Sequence, residues 1–414
     1  WHQMKYYWFL HFGPNTFTGS EWGKGTEKEE VFNPAKLDCR QWCRIAKAAG
    51  AKGLIITAKH HDGFCLWPSK YSTHTVRESK WKNGKGDVLK ELSAACKEYG
   101  LKFGVYLSPW DRNHPKYGTP AYNDVFVNML KEIFTNYGPI WELWWDGANG
   151  EGTNGKKQVY DWHRFETTIR KLSPNTIIFS DIGPDCRWVG NERGIAGTTN
   201  WNYLDTAGFK RGEGAPPQDT LTYGNVNGKN WIPAECDVSI RPGWFYHKEE
   251  NEKLKTAAQL FDLYLKSVGR GANLLLNVPP DDDGLINPHD SAVTMQFKSL
   301  LDKSFSKLKA EKRFTNVADS YQLKLKQPSL VNAIQVEEAI QNGQRISSFT
   351  ILLMNHSTIV KRLEGTTIGK QRILTFPEVQ IDAIQLQVNT AKAKPVVSRM
   401  ALYDIPGELV ENSR

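Results

Sequence analysis

The chain has no apolar stretch of the roughly eighteen residues that a membrane-spanning helix requires, so no such span is expected. Runs of about five or more like charges are missing too, and the net charge of +8 is scattered over 414 residues. That pattern excludes nucleic acid as a partner. Cysteine is scarce: six residues, at 39, 43, 65, 96, 186 and 236, show no paired spacing of a metal knuckle. Cys39 and Cys43 lie four apart on an expected helix, a poor geometry for a mutual disulfide, and most of the six read as small buried hydrophobes. A Gly-x-Ser-x-Gly elbow is absent, which argues against a serine or cysteine nucleophile. There is no internal repeat and no low-complexity tract. The chain starts at Trp1 without a leader-like segment, which leaves room for a leader removed upstream.

Aromatic residues are plentiful. Fifteen Trp, many of them in stretches punctuated by Gly and Pro, supply flat faces that suit sugar rings as well as core. The length predicts two domains. Strands are expected at 6–11, 53–59, 101–107, 140–145, 176–179, 231–234 and 272–278. Helices fit 38–49, 87–99, 121–137, 157–172, 253–267 and 288–301, the first with Asp38 as its cap and the second stopped by Gly100. Strand followed by helix about seven times over predicts an α/β fold, a (β/α)8-like barrel of the TIM type over residues 1–305. A long Gly-rich excursion interrupts it at 183–230. From Tyr321 onward β-branched alternation takes over, and 315–414 reads as an all-β sandwich behind a basic linker at 303–318.

The strand ends carry the chemistry. The aromatic run at 140–145 stops at Asp146-Gly147, and other strands end at His11, at His60-His61, at Trp110-Asp111, at Asp181 and at Glu235. Each has an ordinary reading, Asp-Gly as a turn or a lone His as a satisfied loop residue. Their recurrence at one end of successive strands points to a site on the C-terminal face of the barrel. Three His near carboxylates could hold a metal. Alternatively, carboxylates in an aromatic, His-lined pocket form the setting for glycoside hydrolysis.

The motifs His-Phe-Gly at 11–13, His-His-Asp-Gly-Phe at 60–64, Trp-Trp-Asp-Gly at 144–147 and Gly-Trp-Phe-Tyr at 243–246 resemble those of the α-L-fucosidases of glycoside hydrolase family 29. The run from Ala272 to Gly284 resembles that family's last barrel strand, and the segments at 343–345 and 366–369 its C-terminal sandwich. The resemblance implies a retaining exo-α-L-fucosidase that uses neither metal nor cofactor and acts on a fucosylated oligosaccharide or glycoconjugate. It implies Asp146 as nucleophile and His11, His60 and His61 as ligands of sugar hydroxyls, with Glu21 and Trp22 near the fucose. Gly-Asn-Glu at 190–192 resembles the subgroup that cleaves α-1,3/1,4-linked fucose on branched, Lewis-type glycans. That makes Glu192 the candidate acid/base, with Glu235 as runner-up and Asp111 and Asp181 behind it. Trp67, Tyr106, Trp144, Trp188 and Trp244 adjoin the motifs and are pocket candidates, with core packing as the alternative. Glycan substrates imply an extracytoplasmic location, periplasmic or secreted. Two rival readings stay open: a fucose-binding barrel without catalysis, and a hydrolase whose three His hold a metal. Nothing in the sequence fixes an oligomeric state.

Overall fold

Eight parallel strands close a barrel in the computed structural model, which describes residues 1–411. They are β1 (Tyr6–Leu10), β2 (Gly53–Lys59), β3 (Lys102–Leu107), β4 (Glu142–Trp144), β5 (Ile177–Ser180), β6 (Cys186–Trp188), β7 (Ala234–Ser239) and β8 (Asn273–Asn277). Each pairs with its neighbour in sequence, and β8 returns to β1. Outside lie α1 (Cys39–Ala48), α2 (Val88–Tyr99), α3 (Ala121–Asn136), α4 (Trp162–Leu172), α5 (Ala257–Lys266) and α6 (Pro288–Phe305). Asp38 caps α1 through the N–H groups of Arg40 and Gln41, and Asp87 caps α2 through that of Lys90. Side chains alternate along each strand, so Trp8, Leu54, Val105, Leu143 and Leu276 face the helices in the main core. Phe9, Ile55, Tyr106, Trp144 and Leu275 fill the barrel instead.

Two expectations shift within the barrel. β6 lies inside the stretch expected to be an irregular excursion. Only residues 181–185 separate it from β5, and no helix intervenes to mark a strand–helix–strand unit. The strand expected at 231–234 begins instead at Ala234, because Asn230–Trp231 pairs with Tyr203–Leu204 in a separate ribbon. Polar residues at inward positions, Glu235 and Asp237, hide this strand from an apolar pattern.

Beyond the barrel, β9 (Leu308–Arg313), β10 (Ser320–Glu338), β11 (Ile346–Asn355), β12 (Thr358–Gly365), β13 (Arg372–Ala391) and β14 (Val397–Tyr403) form one antiparallel sheet. β9 occupies the stretch read as a linker. The second domain is all β, as expected, and its strands belong to one hydrogen-bonded sheet, whose long strands β10 and β13 shift register at 324/329 and 331/333. Such bulges bend strands. Tyr321 and Leu323 at one end of β10 thus share a core with Ile334 and Val336 at the other.

This sheet braces the long loop between β6 and β7. Gln344 accepts from the Asn202 N–H (2.8 Å) and donates to the Asn200 carbonyl (2.9 Å), while the Asn200 N–H donates to Thr367 (2.9 Å). Arg372 donates to the Thr198 carbonyl (2.6 Å). The segments at 343–345 and 366–369 are the docking points.

Candidate active site

Three strands place polar residues inside the barrel at successive levels. β1 aims Tyr7, Phe9 and then His11 inward, β4 with the residues after it aims Glu142, Trp144 and Asp146, and β7 aims Glu235, Asp237 and Ser239. The upper two levels open into a narrow pocket on the C-terminal face. It is lined by Phe9, His11, Trp22, His60, His61, Tyr106, Trp144, Asp146, Glu192, Asp237 and Trp244. Roomier hollows of about 590 and 700 Å3 lie beside Trp162 and beside Lys303. Their charged side chains are exposed or half-exposed, whereas the small pocket gathers buried imidazole and carboxyl groups, so the chemistry belongs there.

Asp146 lies two residues beyond Trp144, the last residue of β4. Its Oδ2 accepts the Tyr106 hydroxyl (3.1 Å) and its Oδ1 the Ala148 N–H (2.7 Å), which fixes the carboxylate while leaving it partly exposed to the pocket. The neighbouring indole Trp145 points outward and packs near Trp162, so only Trp144 faces the site. Trp144 stacks on Phe179 with centroids 4.0 Å apart and planes within 9°.

The three histidines are neutral. Burial lowers the pKa of His11 to about 3 and of His61 to about 4, and pushes that of His60 well below its usual value. Their neighbours set the tautomers. Asn277 gives its two amide hydrogens to Ser239 (3.0 Å) and the Trp244 carbonyl (2.7 Å), so its Oδ1 faces His11 Nδ1 (2.8 Å) and that nitrogen carries the hydrogen. Ser108 donates to the Trp110 carbonyl (2.8 Å), so its oxygen accepts from His61 Nδ1 (2.8 Å). His11 and His61 are therefore left with Nε2 lone pairs that can accept hydrogens from ligand hydroxyls. His60 stacks against Tyr106 (5.6 Å, 17°), and its buried Nδ1 has no hydrogen-bond partner among the described residues.

Glu192 enters from the loop after β6, exposed, and accepts from the Trp244 indole N–H (3.3 Å). The loop is pinned, not loose. Asn191 Oδ1 accepts the N–H groups of Arg193 and Ile195, and Gly190 sits at φ +88, where a Cβ would approach the Gln218 carbonyl to 2.7 Å. Trp22 stands at the mouth, 56% exposed.

Other candidates fall outside the pocket. Glu235 is fully buried one level below it, bonded to Tyr7 and Trp144, and cannot reach a ligand as an acid/base. Trp67 is core: its indole donates to Glu132 of α3 (3.1 Å), on the outside of the barrel. Asp111 is consumed by a buried ion pair with Lys59 (3.2 Å). Glu21 stands behind Trp244, accepting the backbone N–H of Trp244 (2.7 Å) and meeting His247 (2.6 Å). Trp188 backs Asp237 through a side-chain hydrogen bond. Asp181 lies against Gly147, whose added Cβ would come within 2.0 Å of its carboxylate. Burial and then the charge of Asp146 raise its pKa to about 7.

Asp237 is a site residue the sequence reading passed over. It lines the pocket with Oδ1 unpartnered among the described residues, and burial followed by the charge of Glu192 raises its pKa well above the usual carboxylate range. Alternation from Glu235 would have located it, had the strand been placed correctly.

Among the described residues, the one trio of His, Cys, Asp or Glu ligand atoms within 4.8 Å of one another is Glu142, Cys186 and Glu235. The three pocket histidines do not converge on a common point.

Residues 1–303 match the family model described as alpha-L-fucosidase. The chain belongs to the α-L-fucosidases of glycoside hydrolase family 29. This fucosidase is 41% identical over 432 residues to Alpha-L-fucosidase 1 of Arabidopsis thaliana, covering 95% of this chain and 84% of that one. It is 27% identical over 272 residues to plasma alpha-L-fucosidase of Homo sapiens, covering 62% and 52%. Among solved structures, a glycoside hydrolase 29 member from an unknown rumen bacterium superposes with a TM-score of 0.90 at 43% identity, over 98% of this chain and 76% of that one. A glycoside hydrolase 29 fucosidase of Ruminococcus gnavus, solved in complex with fucose, gives 0.86 at 30% identity over 99% and 94%. The fucosidase is thus a hydrolase, and a binding-only barrel is set aside. No helix among its described residues is long and apolar enough to cross a membrane.

Proposed function

We propose that the fucosidase releases terminal α-linked fucose with retention of configuration. In this reading Asp146 attacks the anomeric carbon while Glu192 gives its proton to the departing glycosidic oxygen. Water then adds to the covalent fucosyl-enzyme, losing a proton to Glu192 as the bond to Asp146 breaks. The observation that carries the reading is the meeting of these two carboxyl groups in one pocket, Asp146 oriented by Tyr106 and Ala148 and Glu192 beside the Trp244 indole. The Nε2 acceptors of His11 and His61 suit a ligand rich in hydroxyls, and Trp144, Phe9 and Trp244 suit its ring and methyl group.

The substrate in this proposal is α-1,3/1,4-linked fucose on branched, Lewis-type glycans. Its support is the Gly-Asn-Glu segment, where Gly190 and Asn191 form the turn that projects Glu192. An extracytoplasmic location goes with such substrates.

Proton NMR of the hydrolysis of an aryl α-L-fucoside tests the stereochemistry. α-L-Fucose is expected first, and β-L-fucose first would overturn the retaining course. Glu192→Ala is expected to slow natural glycans far more than aryl fucosides with good leaving groups, because only the former need a proton. Equal losses on both would remove Glu192 as the acid. A panel of linkages read by chromatography tests the preference, and faster release from α-1,2-linked fucose would contradict it.

A further inference from the structure

Below the pocket floor the barrel holds a carboxyl pair that these steps do not use. Glu142 and Glu235 are fully buried and hydrogen-bonded to each other. Together with Cys186 they resemble a ligand set for a cation, but the surrounding hydrogens argue otherwise. The Tyr7 hydroxyl and the Trp144 indole N–H (2.9 Å) donate to Glu235, and the Trp1 indole N–H (3.2 Å) donates to Glu142. These donors take the lone pairs that a metal would need and complement a negative charge instead.

Two carboxylates at hydrogen-bond distance in a dry interior do not both ionise, so the pair shares one proton. Glu235 collects two strong donors in addition to Glu142, whereas Glu142 has one, supplemented by the weak Cys186 thiol at 3.9 Å. The proton therefore resides on Glu142. Burial, then the charge of Glu235, raises the pKa of Glu142 well above its usual value. Burial raises that of Glu235 as well, but the bonds from Glu142, Tyr7 and Trp144 oppose the rise.

We propose that Glu235 is a positioning residue for fucoside hydrolysis: as the ionised member of the pair it anchors the Trp144 indole flooring the pocket and holds one negative charge beneath the bound sugar. Trp144 is clamped between this bond and its stack on Phe179, so its ring cannot tilt without losing one of them. Glycoside hydrolysis passes through an oxocarbenium-like transition state, and its positive charge is felt across a single side chain in a low-dielectric interior. A charge that acts there lowers the barrier more than it tightens ground-state binding. The proposal rests on fucosidase activity alone, since inverting and retaining courses share that transition state.

The test compares Glu142→Gln with Glu235→Gln in the full chain, using an aryl α-L-fucoside. Glu142→Gln exchanges a neutral acid for a neutral amide that still donates to Glu235, so kcat is expected to stay within about twofold of the parent. Glu235→Gln keeps an acceptor for the indole but removes the charge. Its kcat is expected to fall about tenfold or more while KM moves less than about twofold. Equal losses in both variants, parent-like kinetics in Glu235→Gln, or a loss confined to KM would overturn the proposal. An infrared difference spectrum of Glu142→Gln against the parent is expected to lose one protonated-carboxyl stretch. Its retention overturns the assignment even if Glu235→Gln does not fold. A parent that releases no fucose would refute the activity itself, a separate outcome.

Discussion

Asn277 Oδ1 accepts two hydrogens from one residue, the backbone N–H of His11 at 3.2 Å and its ring Nδ1–H at 2.8 Å. Through this pairing β8 dictates which nitrogen of His11, the residue just after β1, is left facing the pocket. Asn277→Asp would place a carboxylate against a buried imidazole and raise the His11 pKa from about 3 by several units. Below the new pKa the ring is an imidazolium with no lone pair to offer. Inhibition by free fucose is expected to weaken as pH falls from about 8 to about 5 in the variant, and not through His11 in the parent. A variant whose inhibition constant follows the parent across that range would contradict the tautomer assignment.

Asp181 makes a prediction about stability. Its pKa is raised from 3.8 to about 7 by burial and by Asp146. Between those values the unfolded chain releases a proton that the folded chain keeps. This group therefore lowers stability as pH rises from about 4 to about 7, and its contribution levels off above that. Asp181→Asn removes this segment, so the variant gains on the parent across the window in denaturant titrations at several pH values. Parallel curves would show that Asp181 titrates normally.

Trp67 distinguishes core from pocket. Its burial and its bond to Glu132 predict that Trp67→Phe costs about 1–3 kcal/mol of stability, from lost packing and an unmade hydrogen bond. Values of kcat and KM are expected to stay within about twofold. A selective rise in KM without loss of stability would return Trp67 to the sugar site.

Much of the barrel is legible in the sequence because its devices are local. Asp38 and Asp87 sit directly before the helices they cap, and the aromatic run that ends at Asp146 displays a strand and its functional tip together. Both histidines at 60–61 reach the pocket because β2 ends at Lys59, where strict alternation no longer applies. What escapes depends on contacts distant in sequence or on an offset of a few residues. Expecting the seventh strand at 231–234 sets Glu235 on the rim. Starting it at Ala234 drops Glu235 to the closed lower level and raises Asp237 into the pocket. β6 is three residues long and follows a five-residue connection, so no periodic pattern can announce it. Trp67 looks like any aromatic in a loop until α3 brings Glu132, 65 residues away, to its indole.

The central claim is covalent attack by Asp146, and azide tests it most directly. Asp146→Ala removes the proposed nucleophile and leaves a space beside Tyr106 and Ala148 where a small anion can enter. With an aryl α-L-fucoside, the variant is expected to lose at least about a thousandfold in kcat and to regain part of it with added azide, giving β-L-fucosyl azide. A variant that keeps parent-like turnover, or one that azide restores only as the α-azide, would contradict Asp146 as the nucleophile.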